Sequence, residues 1–134
     1  MKFEFLYGFI PVPVFFTNLE FLYNPGTIGR SFGVFIVIKP KYEFDDVILQ
    51  HELIHCKQFI SSFGINGIRY LVNPNYRMLA ELEAYQTLYD APGIKEFKLK
   101  LITRLLFNNY NLEMDKTYIF EKVKDYYIMK MVTF

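Results

Sequence analysis

The chain has 134 residues, with 15 basic and 14 acidic side chains, a net charge of +1 at pH 7 and no basic tract. That length suits one domain around one core, and the balanced charge excludes the electrostatic footprint of a nucleic-acid binder. Apolar residues at 52% and charged residues at 22% exclude a disordered chain, while 15 Phe and 11 Tyr without any Trp point to a tight core and an apolar groove or partner surface.

The opening stretch, MKFEFLYGFIPVPVFF, is apolar, but Glu4 interrupts it early and Pro11 and Pro13 break any helical signal region. No small-residue cleavage pattern follows, and the apolar runs fall short of the about 18 residues a membrane helix needs. The expectation is a soluble, cytoplasmic protein without a transmembrane segment, with attachment to a virion as a further setting.

Residues 1–40 read as β-structure. Phe3, Phe5 and Tyr7 recur with period two, Pro11-Val12-Pro13 marks an irregular or edge segment, and Asn24-Pro25-Gly26 marks a turn. The run Phe32 to Ile38 is β-branched and aromatic and stops at Lys39-Pro40, which predicts a strand. A helix is expected over about 44–62, capped by Asp45 or Asp46 and closed by Gly64. Phe44, His51, His55, Gln58 and Ser62 share one face of it, so that face is expected to be the buried stripe. Residues 63–73 connect, with Ile68, Tyr70 and Leu71 in a short buried turn. Asn73-Pro74 starts a second helix that runs to about Tyr89, and Asp90 to Gly93 break it. Amphipathic spacing predicts a helix over 94–107, and a last one starts near Asp115. The fold class is α+β: a small N-terminal β-sheet followed by about four helices, in a single domain over 1–134.

The chemistry concentrates at His51-Glu52-Leu53-Ile54-His55. These are the chain's 2 histidines. On a helix they lie about 40° apart on one face, so both imidazoles can reach one metal ion, while Glu52 is rotated about 100° from His51 and lines the same site. Two imidazoles plus a carboxylate that can take a proton from metal-bound water is the geometry of H-E-x-x-H zinc hydrolases. Zinc needs a third protein ligand. No third histidine exists, so it is an acid or Cys56. Cys56 is the lone cysteine, excludes an intrachain disulfide, and reads as a small buried hydrophobe. The next helix offers Glu81 and Glu83, whose side chains point roughly 200° apart, so only one of them can face the metal.

HELIHCKQF followed by ELEAY resembles the gluzincin metallopeptidases, especially the small minigluzincins and short phage-type relatives of them. The resemblance covers about residues 33–90 and implies a zincin-like fold, with the 33–38 strand as the rim of the cleft. It implies one Zn²⁺ per chain held by His51, His55 and Glu81, with Ala84 as the small residue that lets the two helices approach. It implies hydrolysis of peptide bonds in a peptide or protein substrate, with Glu52 as general base. Where larger gluzincins often carry an Asp after that Ala, this chain has Tyr85, so Gln58 or Tyr85 is left to orient a histidine. Tyr70, Tyr76 and Tyr85 are candidate donors to the oxyanion. The other reading is a catalytically silent or latent zinc-binding interaction module, such as a phage or virion component, with the apolar N-terminus or the terminal KMVTF lying in the cleft.

Overall fold

The computed structural model describes residues 1–24, 26–85 and 96–132, with side chains described for all of these except 96, 97 and 128–132. Lys2–Leu6 (β1) and Ile10–Phe16 (β2) form an antiparallel hairpin. Gly29–Ser31 (β3) and Ile36–Ile38 (β4) form a second one, and β4 pairs β2 in parallel, so the sheet order is β1-β2-β4-β3. Pro11 and Pro13 lie in β2, between two strands rather than in an edge. They are tolerated because β4 pairs only Val14 to Phe16, so no ladder bond is lost on that flank.

The strand predicted over Phe32 to Ile38 is cut short. Gly33 sits at φ +88°, the Phe32 N–H donates to the Phe35 carbonyl at 2.8 Å, and the Ser31 hydroxyl accepts from the Gly33 N–H. A turn is therefore cut into the apolar run, and only Ile36–Ile38 remains as strand. Glycine is required there twice over, since a Cβ would also lie 2.7 Å from the Phe59 ring. The consequence for the site is a change of rim: β4 is interior, and the sheet edge beside the histidines is β3.

Among the described residues five α-helices follow: Asp46–Ser61 (α1), Ile65–Val72 (α2), Pro74–Ala84 (α3), Glu96–Asn109 (α4) and Lys116–Val132 (α5). Asp45 caps α1, accepting from the Val47 and Ile48 amides at 3.0 and 3.2 Å. Phe44 falls outside the helix and is 92% exposed, contrary to its expected place on the buried stripe. Past Ser61, Phe63 and Gly64 take positive φ and the Gly64 N–H reaches back to the Phe59 carbonyl at 2.9 Å, closing the helix end as expected. The connection then forms a helix of its own, α2, with Ile68 and Leu71 exposed at 65% and 74% instead of buried. This helix stands where the sequence predicts a connection with a short buried turn. Asn73 caps α3 through the Tyr76 amide at 3.1 Å, with Pro74 at the first position. The expected continuation to Tyr89, the break at Asp90 to Gly93 and the start of the next helix at Ile94 lie outside the described residues.

Two clusters of buried side chains form. One packs Leu6, Val12, Val14, Ile36 and Ile38 of the sheet against Leu49, Leu53 and Cys56 of α1. The other joins Met78 and Leu82 of α3, and Tyr85 just past its end, to Leu99, Ile102 and Leu106 of α4 and Ile119, Val123 and Tyr127 of α5. Helix α1 thus has two covered faces. Leu49, Leu53 and Cys56 face the sheet, and His51, His55 and Gln58, about 180° around the helix, face α3. The histidines therefore lie at the seam between the two clusters. Phe3 and Phe5, at 50% and 60% exposure, alternate onto the outer face of the sheet, away from the core. Among the described residues, no helix is long and apolar enough to cross a membrane.

Candidate metal centre

His51, Glu52 and His55 project from the middle of α1, and Glu81 meets them from the last turn of α3. Glu81 Oε2 lies 3.2 Å from His51 Nε2, and its Oε1 lies 3.1 Å from His55 Nε2. One ligand atom from each of the three residues lies within 4.8 Å of the other two. Two donors bound tetrahedrally to one zinc at about 2.0–2.1 Å sit about 3.4 Å apart, so these separations suit a shared ion. The donor set of two imidazoles and one carboxylate suits it chemically as well. Glu81 is only 1% exposed, and its Oε2 is buried without a hydrogen bond, because the approach to His51 is close but not aligned as one. A buried carboxylate oxygen left in that state is costly, and a cation beside it removes the cost. The residues present thus fit a metal ion.

The structure separates the two glutamates that the sequence left competing. Met78, Leu82 and Tyr85 turn toward α4 and α5, which leaves Glu81 facing the two histidines and Glu83 exposed. Cys56 is not part of the group. It packs against the sheet, its sulfur lies 3.2 Å from the Ser31 hydroxyl, and burial pushes its thiol up to about 11.

Charge in the metal-free site is shared among four groups. Burial alone would push the Glu81 carboxyl up, but His55 and then His51 hold it well below the usual carboxylate range. Burial would lower the His55 imidazole, yet the Glu81 carboxylate, with Glu52 and Gln58, raises it to about 9. Burial pushes Glu52 above the usual range, against the opposing pull of the two imidazoles. Glu52 is 8% exposed and lies against β3: a Cβ on Gly29 would come within 3.3 Å of its Oε1. The absence of a side chain at Gly29 lets the edge strand pass this close to the carboxylate.

The three candidate tyrosines are placed differently. The Tyr70 hydroxyl donates to Glu81 Oε1, and burial together with that carboxylate raises it well above its ordinary value. Tyr76 is half-buried and lines the cleft. Tyr85 lays its ring on His51, with centroids 4.3 Å apart, while its hydroxyl meets that of Tyr110 at 2.7 Å. Where an acid would orient a histidine by a hydrogen bond, Tyr85 does so by packing. Gln58 supplies the hydrogen bond instead, to His55 Nδ1 at 2.9 Å.

Tyr110 and Arg77 escaped the sequence reading as site residues. Arg77 donates to four backbone carbonyls, those of Tyr70, Leu71, Tyr110 and Asn111, at 2.9–3.0 Å. It ties the end of α2 and the α4–α5 loop to α3, and so holds Tyr70 and Tyr110 over Glu81. Nothing local in the sequence signals this, because the acceptors are carbonyls that any residue could provide. Replacing Arg77 with Met is expected to destabilise the protein by about 2–3 kcal/mol, since bonds to a charged donor are lost and carbonyls are left unmet. A urea titration of the two proteins measures it, and an unchanged midpoint would refute the role.

A cleft of about 650 Å³ opens over the site, bounded by Gly29, Arg30 and Ser31 of β3, by the three ligand candidates, and by Phe59, Ile68 and Leu71 on the far wall. The N-terminal segment does not enter it, being taken up as β1, and Thr133 and Phe134 of the terminal segment lie outside the described residues. The class this geometry defines is an α+β chain with a His-His-Glu group able to hold a metal ion. Comparison with known proteins finds no matching family model, no matching curated protein and no matching solved structure.

Proposed function

We propose that the chain is a zinc-dependent metallopeptidase of the gluzincin type, with a zincin-like arrangement of edge strand, His-bearing helix and glutamate helix. The observation that carries the reading is the convergence of both oxygens of buried Glu81 on the two histidine Nε2 atoms, with the unliganded carboxylate of Glu52 beside them. A structural metal site has no need of that second carboxylate.

His51, His55 and Glu81 would hold the ion, which when bound polarises a scissile carbonyl and brings a water toward ionisation near neutral pH. Glu52 takes the proton of the attacking water on its carboxylate and delivers it to the departing amide nitrogen. Burial, which raises its proton affinity, suits both halves of that task. An extended peptide would pair with β3, whose outer side no described strand occupies. Ile68, Leu71 and Phe59 would face its apolar side chains. Tyr76 is the candidate left to donate to the oxyanion, since the Tyr70 hydroxyl is given to Glu81 and the Tyr85 hydroxyl is turned to Tyr110.

The expected result is one zinc per chain by elemental analysis and cleavage of a mixed peptide library that stops on chelation and returns with zinc. A second reading, a zinc-binding interaction module without catalysis, rests on the outward aromatics Phe3, Phe5 and Phe9. Stoichiometric zinc without any cleavage would favour it, and a chain that takes up no metal would overturn both.

A further inference from the structure

Gln58 lies one turn past His55 on α1, and its carboxamide is held at both ends. Its Nε2 lies 3.1 Å from the Ala80 carbonyl and 3.0 Å from Glu83 Oε1, both on α3, and its Oε1 lies 2.9 Å from His55 Nδ1. A carbonyl oxygen can only accept, so the end of the amide facing Ala80 is the NH₂ group. The oxygen is therefore the end facing His55, and an amide oxygen also only accepts. It follows that His55 Nδ1 carries a hydrogen, which leaves the Nε2 lone pair as the one able to bind a cation. That nitrogen is the one 3.1 Å from Glu81.

We propose that Gln58 is the positioning residue of the metal centre, fixing the tautomer and ring plane of His55, and that Glu83 anchors Gln58 from the neighbouring helix. This rests on the metal-centre reading above. It gives Glu83 a role although its side chain points away from the metal candidates: its carboxylate withdraws the amide NH₂ from His55 and so selects which end of Gln58 the imidazole meets. It also accounts for Tyr85. With His55 oriented by Gln58 and His51 by the Tyr85 ring, no acid is required after Ala84. The amide spans α1 and α3, so the same contact sets the separation of the helices that deliver the ligands.

The test is zinc affinity, measured by competition with a chromophoric chelator, on the wild type, Gln58→Met, Glu83→Leu and Glu83→Gln. Gln58→Met is expected to weaken zinc binding about 10–100-fold, the usual worth of a partner behind a ligating histidine. Glu83→Leu, at an exposed position, is expected to produce a smaller fall because the Ala80 carbonyl remains. Glu83→Gln keeps an acceptor and is expected to restore wild-type affinity. In the zinc-loaded wild type, His55 should show a proton bonded to Nδ1 in a ¹H–¹⁵N correlation, and this signal should be lost to exchange in Gln58→Met. A packing role alone would lower the melting temperature of the metal-free variant and leave zinc affinity where it was, which overturns the inference. So would a His55 proton on Nε2. If the wild type takes up no zinc, the metal-centre reading itself falls and the inference with it, an outcome distinct from wild-type uptake that Gln58→Met leaves undiminished.

Discussion

Glu52→Gln is expected to lower peptide hydrolysis by about 10²–10⁴-fold, the range a positioned general base contributes, while leaving zinc content at one per chain. The two halves of this result come from different residues. The ligand candidates His51, His55 and Glu81 are untouched, so the ion should be retained. The amide has the shape of the carboxylate and fits beside Gly29, but it cannot accept a proton from water. The fold should tolerate the change, because the native carboxyl is already buried and burial disfavours its charge. Cleavage rates with elemental analysis of the same sample decide it. Undiminished cleavage in Glu52→Gln would remove Glu52 from the mechanism, whereas loss of zinc along with activity would make it a ligand.

The second large effect is in the metal-free protein and depends on pH. His55 is raised from 6.5 to about 9 in the folded state. A group raised on folding contributes stability that is complete below its unfolded value and vanishes as the pH passes its folded value. Stability of the metal-free protein should therefore fall between about pH 6.5 and pH 9, by about 3 kcal/mol at 1.36 kcal/mol per pH unit. Glu81, held below the usual carboxylate range, acts in the opposite sense: its contribution is present above the unfolded carboxyl value near 4.5 and is lost on acidification through its lower folded value. The two trends are one interaction seen from its two ends and should not be added. Urea titrations across this range should show the high-pH decline in the wild type and its absence in Glu81→Gln, where the partner charge is gone. Zinc should abolish the decline in the wild type by taking the place of the proton, and the zinc affinity of Glu81→Gln should fall by more than the about 10–100-fold that an outer partner is worth. A flat wild-type profile would mean that His55 and Glu81 do not share charge as their 3.1 Å separation implies.

Much of the site's local framework was legible. The i, i+4 spacing of His51 and His55, the Asp45 cap and the Asn73-Pro74 start are local signals, and local backbone physics places them where they were expected. The spacing of Glu81 and Glu83 also showed that only one of them can face the metal. Which one does so is a tertiary matter, decided by Met78, Leu82 and Tyr85 turning to a second cluster built from α4 and α5. The single buried stripe expected for α1 proved to be two, because the helix lies between a sheet and another helix, and a one-sided apolar pattern cannot announce both.

The partners of the site were legible only in part: Gln58 and Tyr85 were candidates to orient a histidine and both meet one, but what borders and anchors them was not. Phe32 to Ile38 has the composition of one strand, yet Gly33 turns the chain there, and whether a glycine in an apolar run is a turn depends on what its neighbours pair with. Arg77 and Gln58 act on backbone carbonyls of residues remote in sequence, and a carbonyl carries no side-chain signature. The sequence by itself determined which residues can bind a metal and on what kind of element they sit. Only the tertiary structure decided which glutamate meets them, which strand borders them and what holds them in register, because those follow from long-range packing and from the need to satisfy buried polar groups.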